Sequence, residues 1–111
     1  MPFPPWFDGL EPGAPRGCLS LRMPAELDID NADDLCEALC AFLDDRPDRL
    51  TLDMTGTRLC TAAGVGALVR VRKHARAGGT ELRVLVARGG IVHRVMDICG
   101  QLPHVTLVPE R

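Results

Sequence analysis

Hydrophobic and polar positions follow two different periods along most of the chain. A period of two is typical of a strand and a period of three to four is typical of a helix. The strand pattern covers 18–23, 50–54, 82–86 and 105–108, and the helix pattern covers 32–43, 62–77 and 91–98. Strands and helices therefore alternate, which is the order that builds a parallel sheet through right-handed crossovers. The pattern predicts a small α/β domain with a mainly parallel, four- to five-stranded sheet and about three main helices.

The ends of the predicted helices carry residues that commonly start or stop a helix. Asn31 precedes the first helix and is predicted to cap it with its side chain. Asp33 and Asp34 lie in the first turn, where the helix dipole favours negative charge. Gly78 and Gly79 are predicted to end the second helix, and Gly100 the third.

The N-terminal segment differs from the rest, because five of the nine prolines lie in residues 1–15. Proline lacks a backbone donor, so this stretch cannot hold a regular helix or a central strand. We expect 1–16 to be an irregular arm and 17–111 to be the folded domain. The aromatic residues of the arm are Phe3, Trp6 and Phe7, and they either fold back on the edge of the sheet or anchor a partner.

Length and charge exclude several classes of function. A chain of 111 residues fits one domain, and its net charge of −2 provides no basic surface for nucleic acid. The basic residues within 70–76 are interpreted as the solvated end of the second helix. The sequence has neither a signal-peptide pattern nor an apolar run of roughly 20 residues, so we expect a cytoplasmic protein without a membrane partner.

Candidate chemistry is sparse. The five cysteines form no CxxC pair, no histidine stands at zinc-finger spacing, and the common catalytic motifs are missing, so neither a metal nor another cofactor is expected. The sequence establishes no carboxylate partner for His74, His93 or His104, which are interpreted as surface or packing residues. Cys60 lies near a helix start, where a thiolate is stabilised, but no base is placed beside it. A binding protein is therefore favoured over an enzyme.

The most informative segment, 53–68, reads DMTGTRLCTAAGVGAL and leads from a strand through a loop into a glycine-bearing helix. It resembles the signature of the STAS domain, in which a strand ending in Asp is followed by Asp-Ser-Ser/Ala-Gly-Leu/Val-Gly at a helix start. The segment 25–28, Ala-Glu-Leu-Asp, is similar to the family's Gly-Glu-Leu-Asp, and 92–100 resembles its final helix ending in Gly. Three motifs in the right order identify residues 18–108 as similar to STAS domains of the anti-sigma factor antagonist type.

The resemblance implies a regulator of bacterial transcription. In that family the antagonist captures an anti-sigma factor and frees a sigma factor, and the anti-sigma factor, which is also a kinase, phosphorylates the serine and so releases itself. Here Thr61 stands at the Asp position and Ala62 at the Ser position, so the usual acceptor is absent. Thr61 has the hydroxyl at this helix start, and two roles stay open for it: the N-cap, a common role of Thr, or an unusual phosphate acceptor.

The resemblance also places the partner surface at the start of the second helix and in the nearby loops. Asp28 either faces the partner or stabilises its own loop by accepting backbone donors. The small residues either let a partner approach closely or, as for Gly64 and Ala67, let the helix pack tightly on its own sheet. An alternative function is a STAS-like scaffold module that self-associates in a larger signalling assembly and needs no release switch. The partner-binding residues expected for the antagonist are Asp28, Arg58, Thr61, Ala62, Ala63 and Val65.

Overall fold

The computed structural model describes residues 7–10 and 17–109. Within these residues the chain forms seven strands, three α-helices and one short 3-10 helix at Leu102–His104. The elements are β1 (Phe7–Leu10), β2 (Cys18–Arg22), β3 (Glu26–Leu27), α1 (Ala32–Asp44), β4 (Arg49–Asp53), β5 (Leu59–Cys60), α2 (Ala62–Ala77), β6 (Glu81–Ala87), α3 (Ile91–Ile98) and β7 (Thr106–Val108). None of the helices in the described ranges is long and apolar enough to cross a bilayer.

The main sheet has the order β1-β2-β4-β6-β7 among the described residues. Strands β2, β4, β6 and β7 run parallel, and β1 pairs antiparallel with β2 at one edge. Strands β3 and β5 form a separate two-stranded parallel sheet. The predicted α/β fold, with a mainly parallel sheet and three main helices, is confirmed.

The predicted N-terminal arm, 1–16, contains β1. This strand lies at the edge of the sheet and, among the described residues, pairs only with β2. The remaining residues of the arm, including Phe3 and Trp6, lie outside the described residues, and so does the Phe7 side chain. The boundary at residue 17 and the placement of these aromatic groups stay predictions.

One hydrophobic core joins the helices to a single face of the sheet. Leu21, Leu52 and Val84 occupy the same register across the three central strands, and all are buried. The next row on the opposite face is Ser20, Thr51 and Arg83, which is polar. Because side chains alternate between faces along a strand, the helices cover the apolar face. The helix residues in this core include Leu35, Leu39, Phe42, Val65, Leu68, Val71, Val92 and Met96.

Asn31 occupies the predicted N-cap position of α1, but the predicted capping by its side chain is wrong. Asn31 makes no side-chain bond to the first turn of α1; its Oδ1 accepts from the Asp28 backbone N–H at 3.0 Å and its Nδ2 donates to the Glu26 carbonyl at 2.7 Å. The backbone of Asn31 is already near-helical, with φ −119° and ψ −7°, whereas a capping residue is usually extended. Its side chain therefore stabilises the preceding loop. The predicted ends of α2 at Gly78 and of α3 near Gly100 agree with the structure.

Candidate functional site

The loop between β4 and α2 is held by short polar contacts. Asp53 ends β4, and its Oδ1 accepts from the Thr55 backbone N–H at 2.9 Å and from the Thr55 hydroxyl at 2.6 Å. The buried hydroxyl of Thr57 donates to the Pro24 carbonyl at 2.9 Å, which ties this loop to the segment before β3. Thr57 thus connects two loops that are 33 residues apart in sequence.

The small sheet brings two of the sequence motifs side by side. Leu27 of β3 pairs with Cys60 of β5, and the Thr61 backbone N–H donates to the Leu27 carbonyl at 3.0 Å. Immediately before β5, the Arg58 backbone N–H donates to the Ala25 carbonyl at 2.7 Å. The motif at 25–28 and the start of α2 are therefore parts of one local structure.

The start of α2 packs closely on β3. A Cβ added to Gly64 would lie 2.8 Å from both the Cγ and the carbonyl oxygen of Leu27, a distance that real Cβ contacts do not reach. Ala67, on the same side of the helix, is 1% exposed. For Gly64 and Ala67, small size is explained by packing within the domain. Gly66 is exposed, and an added Cβ there would meet nothing within 4 Å.

The expected partner-binding residues differ in exposure. Ala62 and Arg58 are exposed, and Asp28, Thr61 and Ala63 are half-buried. Val65 is 6% exposed and belongs to the core. Its side chain therefore stabilises the domain from inside, which leaves the other five residues to form a surface.

Two exposed apolar side chains at this site were missed by sequence reasoning. Ile29, between Asp28 and Asp30, is 79% exposed, and Leu59 is 39% exposed. In the sequence, each of the two is an apolar residue within a loop that also contains polar residues. Only the fold shows that their side chains are exposed, and exposed apolar groups are candidates for contact with a partner. We define the helix-start surface as Asp28, Ile29, Arg58, Leu59, Thr61, Ala62 and Ala63.

Polar contacts at this surface explain part of its shape. The Thr61 hydroxyl accepts from the Gly64 backbone N–H at 3.5 Å and serves as the N-cap of α2, with an extended backbone at ψ 174°. The Asp28 Oδ1 accepts from the Asp30 backbone N–H at 3.0 Å, so Asp28 does stabilise its own loop. Both residues nevertheless remain half-buried and reach the surface.

The thiol of Cys60 does not have the properties of a nucleophile. Cys60 is 3% exposed, and burial, with a smaller contribution from Cys99, raises the pKa of its thiol from 9.0 to about 11. Thiolate nucleophiles need the opposite shift. At neutral pH the group is a neutral, buried thiol.

The histidines hold the structure in different ways. The Nε2 of His74 lies 2.8 Å from Asp44 Oδ1, so it joins α2 to α1, a carboxylate pairing that the sequence alone did not establish. The Nδ1 of His93 accepts from the Gly89 backbone N–H at 2.8 Å, and His104 ends the 3-10 helix. Across the ranges that the structure describes, no group of three or more His, Cys, Asp and Glu residues is arranged to bind a metal ion.

Comparisons with known proteins agree with this geometry. A model of the STAS domain family matches residues 12–110. The solved structure of the anti-sigma factor antagonist SpoIIAA in its unphosphorylated form aligns with a TM-score of 0.70 at 15% identity, over 84% of this chain and 81% of that chain. The Bacillus cell fate determinant SpoIIAA in its phosphorylated form aligns with a TM-score of 0.62 at 16% identity, over 91% and 90%. None of the curated protein sequences matches the chain. At these identities the two structures establish a shared fold.

Proposed function

The chain belongs to the STAS domain family, and from this premise we propose that it is a regulator of the anti-sigma factor antagonist kind that acts by binding another protein. Its partner is an anti-sigma factor or a related protein of the kinase fold, whose capture frees a sigma factor. The fold shared with the antagonist SpoIIAA supports this choice of partner class. Binding takes place in the cytoplasm of a bacterial cell and involves no catalysis by this chain.

The observation that carries the proposal is the helix-start surface. Ile29, two residues after the end of β3, and Leu59, in the paired strand β5, have exposed apolar side chains, and Ala62 at the start of α2 is exposed and small. Exposed apolar groups gain most by burial in an interface, and small residues let a partner's backbone approach closely. The hydrogen bonds of β3 and β5 hold the two loops in place, so little ordering is needed on binding.

Charge at this surface supports specificity. Arg58 is exposed on the loop before β5. Asp28 directly follows β3, the strand that pairs with β5. Groups of opposite charge on the two loops favour a partner with the complementary arrangement and disfavour others. The surface thus combines apolar and charged groups, both of which stable interfaces contain.

We further propose that release from the partner does not depend on the family's serine switch. Ala62 is exposed where a kinase would reach it but has no hydroxyl. The neighbouring residue Thr61 is half-buried and its hydroxyl oxygen accepts from the Gly64 N–H, so a kinase would reach this oxygen less readily than an exposed serine at position 62. The complex is therefore expected to persist in the presence of ATP.

A capture experiment with matched variants tests the proposal. The tagged chain is used to capture proteins from a native lysate, and bound proteins are identified by mass spectrometry. Ala62→Glu places a carboxylate where the helix dipole favours it by about 0.3 to 1 kcal/mol, so folding should survive. In an interface the same charge would be desolvated without a partner and should weaken binding about a hundredfold.

Arg76→Glu is the control, because Arg76 is exposed near the other end of α2. We expect wild type and Arg76→Glu to capture a protein of the kinase fold, and Ala62→Glu to lose it while keeping its thermal transition. Capture of no such protein by the wild type would contradict the antagonist. Normal capture by a folded Ala62→Glu variant would show that the partner does not bind at the helix-start surface.

A scaffold module is the second candidate, and a separate exposed surface favours it. Ile91 and Ile98 are 51% and 79% exposed and lie seven residues apart on α3, on one face of that helix. A module with this second apolar surface can contact another STAS-like chain while the helix-start surface binds elsewhere. Light scattering after size exclusion separates the candidates: a lone antagonist elutes near its 12.0 kDa mass, and a scaffold elutes as a large assembly that Ile98→Asp dissociates.

A further inference from the structure

A cavity of about 440 Å³ lies between α2, β6 and the segment 101–106. It exists because β7 pairs with β6 only from Leu85 to Ala87. The first half of β6 is paired with β4 on one side, and on its other side the chain of 101–106 stands away from it. The cavity volume falls in the range of about 300 to 1,000 Å³ that is typical of small-molecule sites.

One part of the cavity lining is apolar, and the rest is polar. This apolar wall includes four core residues from three different elements, namely Val65, Leu68, Val84 and Met96. These four residues are at most 7% exposed and form a fixed base that exists before any ligand arrives. The apolar surface that a ligand can reach belongs to the half-buried Val69, Leu82 and Val105, which also line the cavity. A hydrocarbon or aromatic group is the chemistry that such a wall accommodates.

The opening of the cavity carries a guanidinium that has no carboxylate partner in the described part of the chain. Arg72 is half-buried, and its Nη1 donates to Gln101 Oε1 at 2.6 Å. A guanidinium has five N–H donors, so this contact uses only a small part of its capacity. Arg70, two residues earlier, instead pairs with Asp33 at 2.8 Å.

The acidic residue at the cavity does not neutralise Arg72. Glu81 lines the cavity, but its carboxylate lies 3.4 Å from Arg49 and 3.9 Å from Arg83. His104, also at the cavity, adds a ring that is cationic when protonated. The lining therefore leaves a positive charge beside an apolar wall.

We propose that this cavity binds a small carboxylic acid with an apolar body, such as a medium-chain fatty acid. The carboxylate accepts two parallel hydrogen bonds from Arg72, which is the geometry that guanidinium groups favour. The apolar body lies against the half-buried side chains of Val69, Leu82 and Val105. The site is distinct from the helix-start surface, so the proposal is independent of the partner proposed above.

Octanoate is the probe, and 1-octanol is its uncharged counterpart of equal chain length. Calorimetry measures both affinities for the full chain, and methyl NMR of Leu82 and Val105 reports where the ligand binds. We expect saturable octanoate binding that shifts these methyl signals, and octanol binding about tenfold weaker, because a charged hydrogen bond is lost.

Arg72→Gln and Arg76→Gln form the matched pair of variants, since both remove one positive charge from α2 and only Arg72 lines the cavity. Arg72→Gln should lower octanoate affinity about tenfold, to that of octanol, while octanol binding and the methyl spectrum show that the cavity is intact. Arg76→Gln should bind as wild type. The proposal is overturned if octanoate does not saturate, if it shifts methyl groups elsewhere, if octanol binds equally well, or if both variants behave alike.

Discussion

Gly64 in the first turn of α2 lies directly against Leu27 of β3, so that a Cβ on Gly64 would come within 2.8 Å of the Leu27 Cγ and carbonyl oxygen. The same carbonyl accepts the Thr61 backbone N–H at 3.0 Å. Leu27 is fully buried and cannot move outward without losing its core contacts. The start of α2 is therefore fixed against β3, and the helix-start surface depends on a glycine that it does not expose.

Gly64→Ala should destabilise the domain by about 1 to 3 kcal/mol, because the added methyl group forces backbone and core side chains apart. Gly66→Ala is the matched control: Gly66 is exposed on the same helix with space around it. This second change should stabilise the domain by about 0.5 to 1 kcal/mol, since alanine favours the helix. Urea unfolding measures both. Equal changes in the free energy of unfolding for the two substitutions would show that close contact with Leu27 does not determine the effect of a methyl group at position 64.

Thr61→Ala should cost about 1 kcal/mol, because α2 loses its N-cap oxygen, whereas Thr61→Ser should retain most of the stability. Thermal unfolding of the two variants tests this. The 3.5 Å distance to the Gly64 N–H places the expected loss toward the lower end of measured caps. A serine variant as unstable as the alanine variant would indicate that the threonine methyl group, not the hydroxyl, matters.

The partner kinase should not phosphorylate this chain at the start of α2. When the captured kinase-fold partner and ATP are mixed with the protein, we expect intact mass spectrometry to show no stoichiometric phosphate and the complex to persist. The variant Ala62→Ser restores the family's acceptor and serves as the positive control. Stoichiometric phosphate on Thr61 with loss of binding would contradict the proposed absence of a switch.

Asn31→Ala should destabilise the loop between β3 and α1 by about 1 to 2 kcal/mol, because two hydrogen bonds, to Asp28 and Glu26, are lost. Asn31→Asp keeps the acceptor for the Asp28 N–H and loses the donor to the Glu26 carbonyl, so its effect should be intermediate. Hydrogen exchange at the Asp28 amide, with unfolding in urea, measures the change. If the aspartate variant is as stable as wild type, the bond to Glu26 contributes nothing.

Stability should fall as pH rises through the range from 9.0 to about 11, in part because of Cys60. Its pKa is raised in the folded state, so the unfolded chain releases the proton at lower pH and alkaline solution favours unfolding. The contribution is complete below pH 9 and is lost above the folded pKa. Urea unfolding from pH 7 to 11 should show the decline, and Cys60→Ala should reduce it. Thiol labelling at pH 7.5 should modify exposed Cys99 long before Cys60.

Local pattern was sufficient for the regular elements of this protein. The span 62–77 predicted for the second helix is that of α2, because a helix long enough to repeat its apolar spacing several times records its buried face in the sequence. The same holds for β4, where the apolar residues Leu50 and Leu52 alternate with polar ones. Strand and helix order then restricted the topology to a mainly parallel sheet.

Tertiary structure decided what the short segments do. Strands β3 and β5 have two residues each, too few to show a period, and only their pairing makes Asp28 a neighbour of the α2 start. Asn31 stands at the N-cap position of α1, yet its side chain bonds to Glu26 and Asp28 in the preceding loop. The burial of Val65 and the exposure of Ile29 follow from packing between distant segments. The hydrophobic pattern of a long element predicts which of its faces is buried, because the pattern repeats. The exposure and hydrogen bonds of single residues in short segments depend instead on which distant groups they contact in the folded chain.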